Sequence, residues 1–446
     1  MKHSAGSVVI TAPIGIPLAG NGRADAASRG IHDDLRANII YLESGGTRLL
    51  LIGLDLLGLR RGECDEIKAR IQHATGIPAD HMNILCTHTH SGPNTMRVFA
   101  NFLTQQDLEN CDNYLRWLVD TVSQKAIQVV AEATEGLMGY GHDVAEGFSF
   151  GRRVVLRDGS LKMVFEDYDR QEIDYLACPN GNPILSVAAF TDLNRNVRAL
   201  LVHFTSHPAI VCGEDWLYTR DYIDELTVQL QRRFGRDVTV LYANGAQGNQ
   251  VAANPYFPFI TGWEEAKRVG GQLAHHAKTI VSRLLMEKEL LSAPDLHART
   301  AAVTLPIRQI TETEIQHANA LMQVIPDGVQ LHGLDPRVEA ASILEMVQYP
   351  LTEETVPIQA LRLGPLCAVS FPGEVFLEFG LEVMNSDPRD VVILGLSNDY
   401  IGYLPTEAAF SQGGYEIKTS VGSSRFAPQA GELLAAACRN LLAELP

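Results

Sequence analysis

A chain of 446 residues, 46% hydrophobic and 20% charged, with 37 glycines and 21 prolines spread along it, has the make-up of a well-packed globule. It excludes a disordered, collagen-like or small disulfide-stapled protein. Its 36 Lys and Arg stand against 53 Asp and Glu, and the net charge of −17 repels phosphate backbones and anionic lipid, so neither a nucleic-acid partner nor stable membrane association is expected.

The apolar opening up to Gly20 is broken by Pro13, Gly15 and Pro17, where a signal peptide would be continuous, and reads as a strand and turn. Asn38–Leu42 and Leu49–Leu54 flank a Gly45-Gly46 turn and predict a hairpin. Helical spacing from Glu63 stops at Gly76-Ile77-Pro78, and Met82–Cys86 is a short strand. A long helix is expected from about Asp107 to Glu135, stopped by Gly136, then β-rich sequence from Leu137 to Val164 turning at Asp158-Gly159. Ile184–Phe190 and Val197–Phe204 read as a second strand pair. Asp221 caps a helix to Phe234, Val238–Tyr242 is a strand, and another helix runs from Trp263 to Leu285. From Leu290 a second half opens, with strands Ile358–Leu363 and Leu366–Phe371 turning at Gly364-Pro365. Glu374–Met384 is read as a helix, Val391–Leu396 as a strand and Ala430–Leu445 as a closing helix. No repeat of about 20 to 50 residues is visible. The expected fold is α/β: a single large domain, residues 1–446, of mixed β-sheets flanked by helices, with a metal site at strand ends and any subdivision near residue 290.

Seven cysteines, an odd number with no C-x-x-C pair, argue against a disulfide framework. With no uncharged run of the roughly 18 to 20 residues that span a bilayer, they point to a cytoplasmic setting.

Four segments after strands carry residues of chemical interest. Thr87-His88-Thr89-His90-Ser91-Gly92-Pro93 follows Met82–Cys86, and on an extended segment residues i and i+2 share a face, so both imidazoles reach one space. A bare H-x-H is equally well two hydrogen-bonded histidines. His207, before Pro208, follows a buried strand and alone is a weak signal; His203, inside the apolar run, reads as structural. Glu374, in Phe371-Pro372-Gly373-Glu374, is expected to open a helix whose N-terminus keeps the carboxylate ionised. Ser397–Thr406 contains Tyr400 and Tyr403, with Tyr415-Glu416 downstream; spacing alone does not select Tyr403. Strand ends are where sites assemble in α/β sheets, which raises all four together.

With these segments in this order the chain resembles the catalytic domain of the neutral, non-lysosomal ceramidase family, from Ile10–Gly15 to Ala427–Glu432. The most specific pieces are Thr-His-Thr-His-Ser-Gly-Pro, His-Pro, Pro-Gly-Glu and Asn-x-Tyr-x-Gly-Tyr with Tyr-Glu after it. The resemblance implies one zinc held by His88, His207, Glu374 and Tyr403, with His90, Arg152 and Tyr415 facing the substrate carbonyl. The family's Asn-Arg dipeptide reads Gly151-Arg152-Arg153 here; Arg152 matches by register and Arg153 stays an alternative. The family's Gly-Asp-x-Ser-Pro-Asn segment corresponds to Gly248–Asn254, with Asn249 in place of the carboxylate. Family members continue into an immunoglobulin-like domain and are secreted or membrane-facing; with neither that domain nor an export signal here, a substrate other than ceramide is expected.

The implied activity is zinc-dependent hydrolysis of a linear N-acyl amide by metal-activated water, on a small-molecule substrate, with Tyr415 or His90 protonating the leaving amine. An esterase or lactonase on the same metal is the alternative enzyme. A non-catalytic metal-containing binding protein is the alternative from another class, kept open by Asn249; homo-oligomerisation is also open. No G-x-S-x-G elbow, P-loop or strand-linked G-x-G-x-x-G occurs, which leaves serine-hydrolase, phosphate-binding and dinucleotide readings unsupported.

Overall fold

The computed structural model describes residues 1–20, 27–97, 103–212, 215–287, 290–323 and 336–446. One pattern of elements occurs three times. Strands β1 (Lys2–Val9), β2 (Arg36–Ser44), β3 (Thr47–Leu54) and β4 (Met82–Cys86) pair in that order, antiparallel, antiparallel and then parallel. Helix α1 (Arg61–Thr75) makes the crossover from β3 to β4, and α2 (Gln105–Ala131) follows. Strands β5 (Thr134–Val144), β6 (Ile184–Asp192), β7 (Val197–Phe204) and β8 (Thr239–Asn244) repeat the order, with α3 (Tyr222–Phe234) as crossover and α4 (Trp263–Glu287) after it. The third unit has β9 (Leu296–Pro306), β10 (Glu353–Leu363), β11 (Leu366–Ser370) and β12 (Asp390–Leu394). It carries α5 (Glu312–Gln323) and α6 (Pro336–Val347) as an insertion before β10, α7 (Leu377–Met384) as crossover and α8 (Ala430–Ala443) at its close.

Among the described residues the sheets of the first two units pair through Lys2–Glu135 and His3–Thr134, giving an eight-stranded sheet of order β8-β7-β6-β5-β1-β2-β3-β4; the third is a separate sheet of order β9-β10-β11-β12. All three turn one face to a common core, to which Leu42, Leu51 and Leu85, Ala188, Leu201 and Leu241, and Leu361, Ala368 and Leu394 contribute. Their other faces carry helices: α1 and α2 on the first, α3 and α4 on the second, α7 and α8 on the third. Burial on both faces explains why Leu49-Leu50-Leu51-Ile52 is unbroken apolar sequence rather than alternating. The β2–β3 hairpin needs left-handed backbone at both turn residues, and Gly45 and Gly46 supply it at φ 58° and 83°.

Two expectations are corrected. The helix expected to run to Glu135 ends at Ala131, and Thr134-Glu135 already belong to β5. Gly136 is no helix stop: it sits where β5 meets β1 and β6, and a Cβ there would lie 2.3 Å from the Thr191 carbonyl. Glu374 does not open a helix either. Glu374-Val375 is a two-residue strand paired in parallel with Tyr403-Leu404, and α7 starts at Leu377. The cause is close backbone packing: a Cβ on Gly373 would lie 2.4 Å from the Gly402 carbonyl, and Glu374 N donates to that carbonyl at 2.9 Å.

The chain is thus a mixed α/β structure of sheets flanked by helices, as expected. The ends of the last strands of the three units meet: Asn244 donates its side-chain amide to Thr87 O at 3.3 Å and accepts Gly395 N at its own carbonyl at 2.8 Å. Among the described residues no helix is long and apolar enough to cross a membrane.

Candidate metal centre

Each unit sends one segment from a strand end into a buried cluster. His88, beyond β4, departs from the extended backbone expected of the H-x-H segment: its φ is 71°, held by its own N–H on Leu56 O at 2.9 Å. Left-handed backbone at a non-glycine costs about 1 kcal/mol or more, a strain typical of functional positions. The two imidazoles nevertheless share one space, with ring centroids of His88 and His90 4.9 Å apart. His207, beyond β7, brings its ring to 4.9 Å from His88 and 5.7 Å from His90. Glu374, beyond β11, enters through the short parallel pairing with Tyr403.

The hydrogen bonds fix the ring tautomers. His88 Nδ1 lies 2.7 Å from Leu57 O and His207 Nδ1 2.9 Å from Gln250 O. A carbonyl oxygen only accepts, so both Nδ1 atoms carry protons and each ring turns its Nε2 inward. Those nitrogens stand 3.2 and 3.1 Å from the same atom, Glu374 Oε2, which is also an acceptor. Burial pushes His207 down to about 4, so its ring is neutral near pH 7. His88 Nε2 is left buried with no hydrogen bond. Two ring nitrogens and a carboxylate oxygen converging in a buried space make a donor set that suits a metal ion. His90 belongs to the same cluster: His88, His90 and His207 each offer a nitrogen within 4.8 Å of the others and could together hold a metal.

The remaining expected residues line one side. Tyr403 accepts from Arg152 Nη2 at 3.2 Å, and its ring stands perpendicular to that of Tyr415 with centroids 5.9 Å apart. Burial pushes the Tyr415 hydroxyl up to about 12, which keeps it a donor at neutral pH. Arg152 and Arg153 part company here. Arg152 reaches Tyr403 while its Nε donates to Glu416 at 2.9 Å. Arg153 donates to Glu416 at 2.6 Å and Gly413 O at 2.7 Å and lies over the Phe376 ring, bound into the wall. Asn249 is taken up by α7: its Oδ1 accepts Leu377 N at 3.0 Å and its Nδ2 donates to Glu378 at 2.8 Å. An aspartate there would set two carboxylates against each other.

Two residues that the sequence reading did not single out complete the cluster. Tyr400 donates to Glu374 Oε1 at 2.6 Å, and Glu416, fully buried, holds both arginines. Both stand in the tyrosine-rich segments already quoted, but nothing local distinguishes them from packing residues.

No protein-family model matches the chain. Two curated relatives do, both named neutral ceramidase. The one from Pseudomonas aeruginosa is 22% identical over a 458-residue alignment covering 90% of this chain and 66% of its own length. The one from Mycobacterium tuberculosis is 32% identical over 75 residues, 15% of this chain and 12% of that protein. The chain therefore spans just under two thirds of the first and aligns with a small part of the second. Among solved structures, neutral ceramidase from Pseudomonas aeruginosa superposes with a TM-score of 0.73 at 19% identity, covering 99% of this chain and 74% of that one. A ceramidase complexed with C2 gives 0.72 at 18% identity, with the same coverage. The resemblance read from the motifs thus extends over nearly the whole chain, and the fold is that of neutral ceramidase.

Proposed function

We propose that this protein is a zinc-dependent amidohydrolase that cleaves a linear N-acyl amide at the His88–His207–Glu374–Tyr403 cluster. The reading rests above all on His88 Nε2 and His207 Nε2, which stand 3.2 and 3.1 Å from one and the same atom, Glu374 Oε2. Likeness to neutral ceramidases supports amide hydrolysis as the reaction class. Zinc in such a site polarises a carbonyl and acidifies water.

The chain's own groups do the rest. Leu57 O and Gln250 O hold the two imidazoles in one tautomer and orientation. Tyr415 and His90 face the space where an amide carbonyl would gain charge, and Glu416 keeps the Arg152 guanidinium directed at Tyr403. One well-placed donor to a developing oxyanion is worth about 3 kcal/mol. A proton for the leaving amine comes from Tyr415, still protonated near neutrality, or from a ring nitrogen of His90.

Metal analysis tests the reading: about one zinc per chain is expected in the wild type and a marked loss in His207→Ala, and equal content in both would remove His207 from the site. Hydrolysis of matched amide and ester substrates with zinc restored should favour the amide; the reverse makes it an esterase. Within the N-acyl class we expect short, soluble amides to be turned over faster than long-chain ceramide in vesicles, because the net charge of −17 opposes adsorption to anionic lipid.

A further inference from the structure

Glu374 has two oxygens, and the cluster uses only one of them. Oε2 faces both imidazoles, whereas Oε1 accepts the Tyr400 hydroxyl at 2.6 Å, a short charge-assisted bond between two buried groups. Tyr400 is itself buried, and its ring runs nearly parallel to that of His88 with centroids 6.4 Å apart. What seats the ring there is Gly58: a Cβ at that position would lie 2.7 Å from Tyr400 Cδ2 and 3.2 Å from Met96 Sδ. Gly58 directly follows Leu57, whose carbonyl orients His88, and the Gly58 carbonyl is tied down by Thr95 Oγ1 at 2.7 Å.

We propose that Tyr400, seated by Gly58, is a positioning residue for the metal: it occupies one oxygen of Glu374 so that the carboxylate offers a single, fixed donor atom between His88 and His207. The proposal rests on the metal reading above. A carboxylate free to rotate could turn both oxygens to the cation or swing away from it. Tied at Oε1, it has one orientation, and the Leu57-Gly58 segment then sets His88 through a carbonyl and Glu374 through the tyrosine at once. Outer partners of this kind typically change metal affinity 10- to 100-fold.

The test is zinc affinity of the purified full chain, measured by competition with a chromophoric chelator, beside the thermal midpoint of the metal-free and zinc-loaded forms. Tyr400→Phe keeps the ring and removes only the hydroxyl. It should weaken zinc binding about 10- to 100-fold and narrow the gap between the two midpoints. Gly58→Ala keeps every polar group but displaces the ring, and should weaken binding in the same direction. A purely structural tyrosine would lower both midpoints together and leave affinity unchanged; that result, or unchanged affinity in Tyr400→Phe alone, overturns the proposal. A wild-type chain that takes up no zinc fails differently, since it removes the metal reading as well.

Discussion

At the scale of single residues, His88 and His90 are two positions apart with rings 4.9 Å apart, yet their surroundings differ. His88 Nδ1 is anchored on Leu57 O, as an orienting partner would hold a ligand, whereas His90 Nδ1 lies 3.8 Å from Cys212 Sγ. His88→Ala should therefore lose zinc and turnover together, while His90→Ala should keep zinc and lower kcat by about 10² to 10³. If both variants lose zinc, all three imidazoles of the cluster are ligands and the oxyanion donors are Arg152 and Tyr415. A second residue-scale prediction concerns pH. His203, buried in the sheet-facing layer, is pushed down to about 4 by desolvation, against 6.5 when unfolded. The unfolded chain takes up this proton first, so the stability present above pH 6.5 falls as pH drops toward 4, by up to about 3 kcal/mol. In denaturant titrations His203→Gln should lose less stability than the wild type across that window; parallel losses would show that His203 does not carry the effect. The candidate ligands stand in short motifs at strand ends, but it was the family resemblance that picked them out, since His207 alone is a weak signal and spacing does not select Tyr403. Glu416 was not legible, because it acts through Arg152, 264 positions away, and no local pattern encodes such a partner.

At the scale of elements, hairpins and crossovers were legible because they obey local rules. The Gly45-Gly46 turn, the Gly76 helix stop with φ 69° and the Asp221 cap on Tyr222 N all stand where the residue types place them. What failed was glycine read as punctuation when it marks a close approach. Gly136 and Gly373 each touch a backbone carbonyl from a distant segment, a constraint that spacing along the chain cannot reveal. Helices α5 and α6 were not assigned at all; their apolar residues pack largely on each other, in a small cluster of Ala318, Ala340 and Ile343 apart from the main cores. Gly136→Ala should lower stability by more than about 2 kcal/mol, because the methyl would be driven against Thr191 O and the His3 ring. Gly45→Ala, with open space around its Cβ, should cost only the left-handed backbone term of about 1 kcal/mol. Comparable losses in thermal melts of the two variants would contradict the close-approach account.

At the scale of the whole molecule, the threefold repetition of sheet and crossover explains why a site with no contiguous sequence forms. His88, His207 and Glu374 come one from each unit, from strand ends that meet around Thr87, Asn244 and Gly395. The repetition was not visible in the sequence because it lies in strand order and burial, which many apolar sequences satisfy. A cut near Leu290 separates the third unit, with Glu374 and Tyr403, from the first two; neither fragment alone should hold zinc or activity, and a first fragment that held both would show that Glu374 is dispensable. The most direct measurement of the central claim is anomalous diffraction at the zinc edge from crystals of the full chain grown with zinc. The account predicts one strong peak about 2.0 to 2.2 Å from His88 Nε2, His207 Nε2 and Glu374 Oε2, with Tyr403 completing the set. No peak at that position, or a peak on other residues, would contradict it.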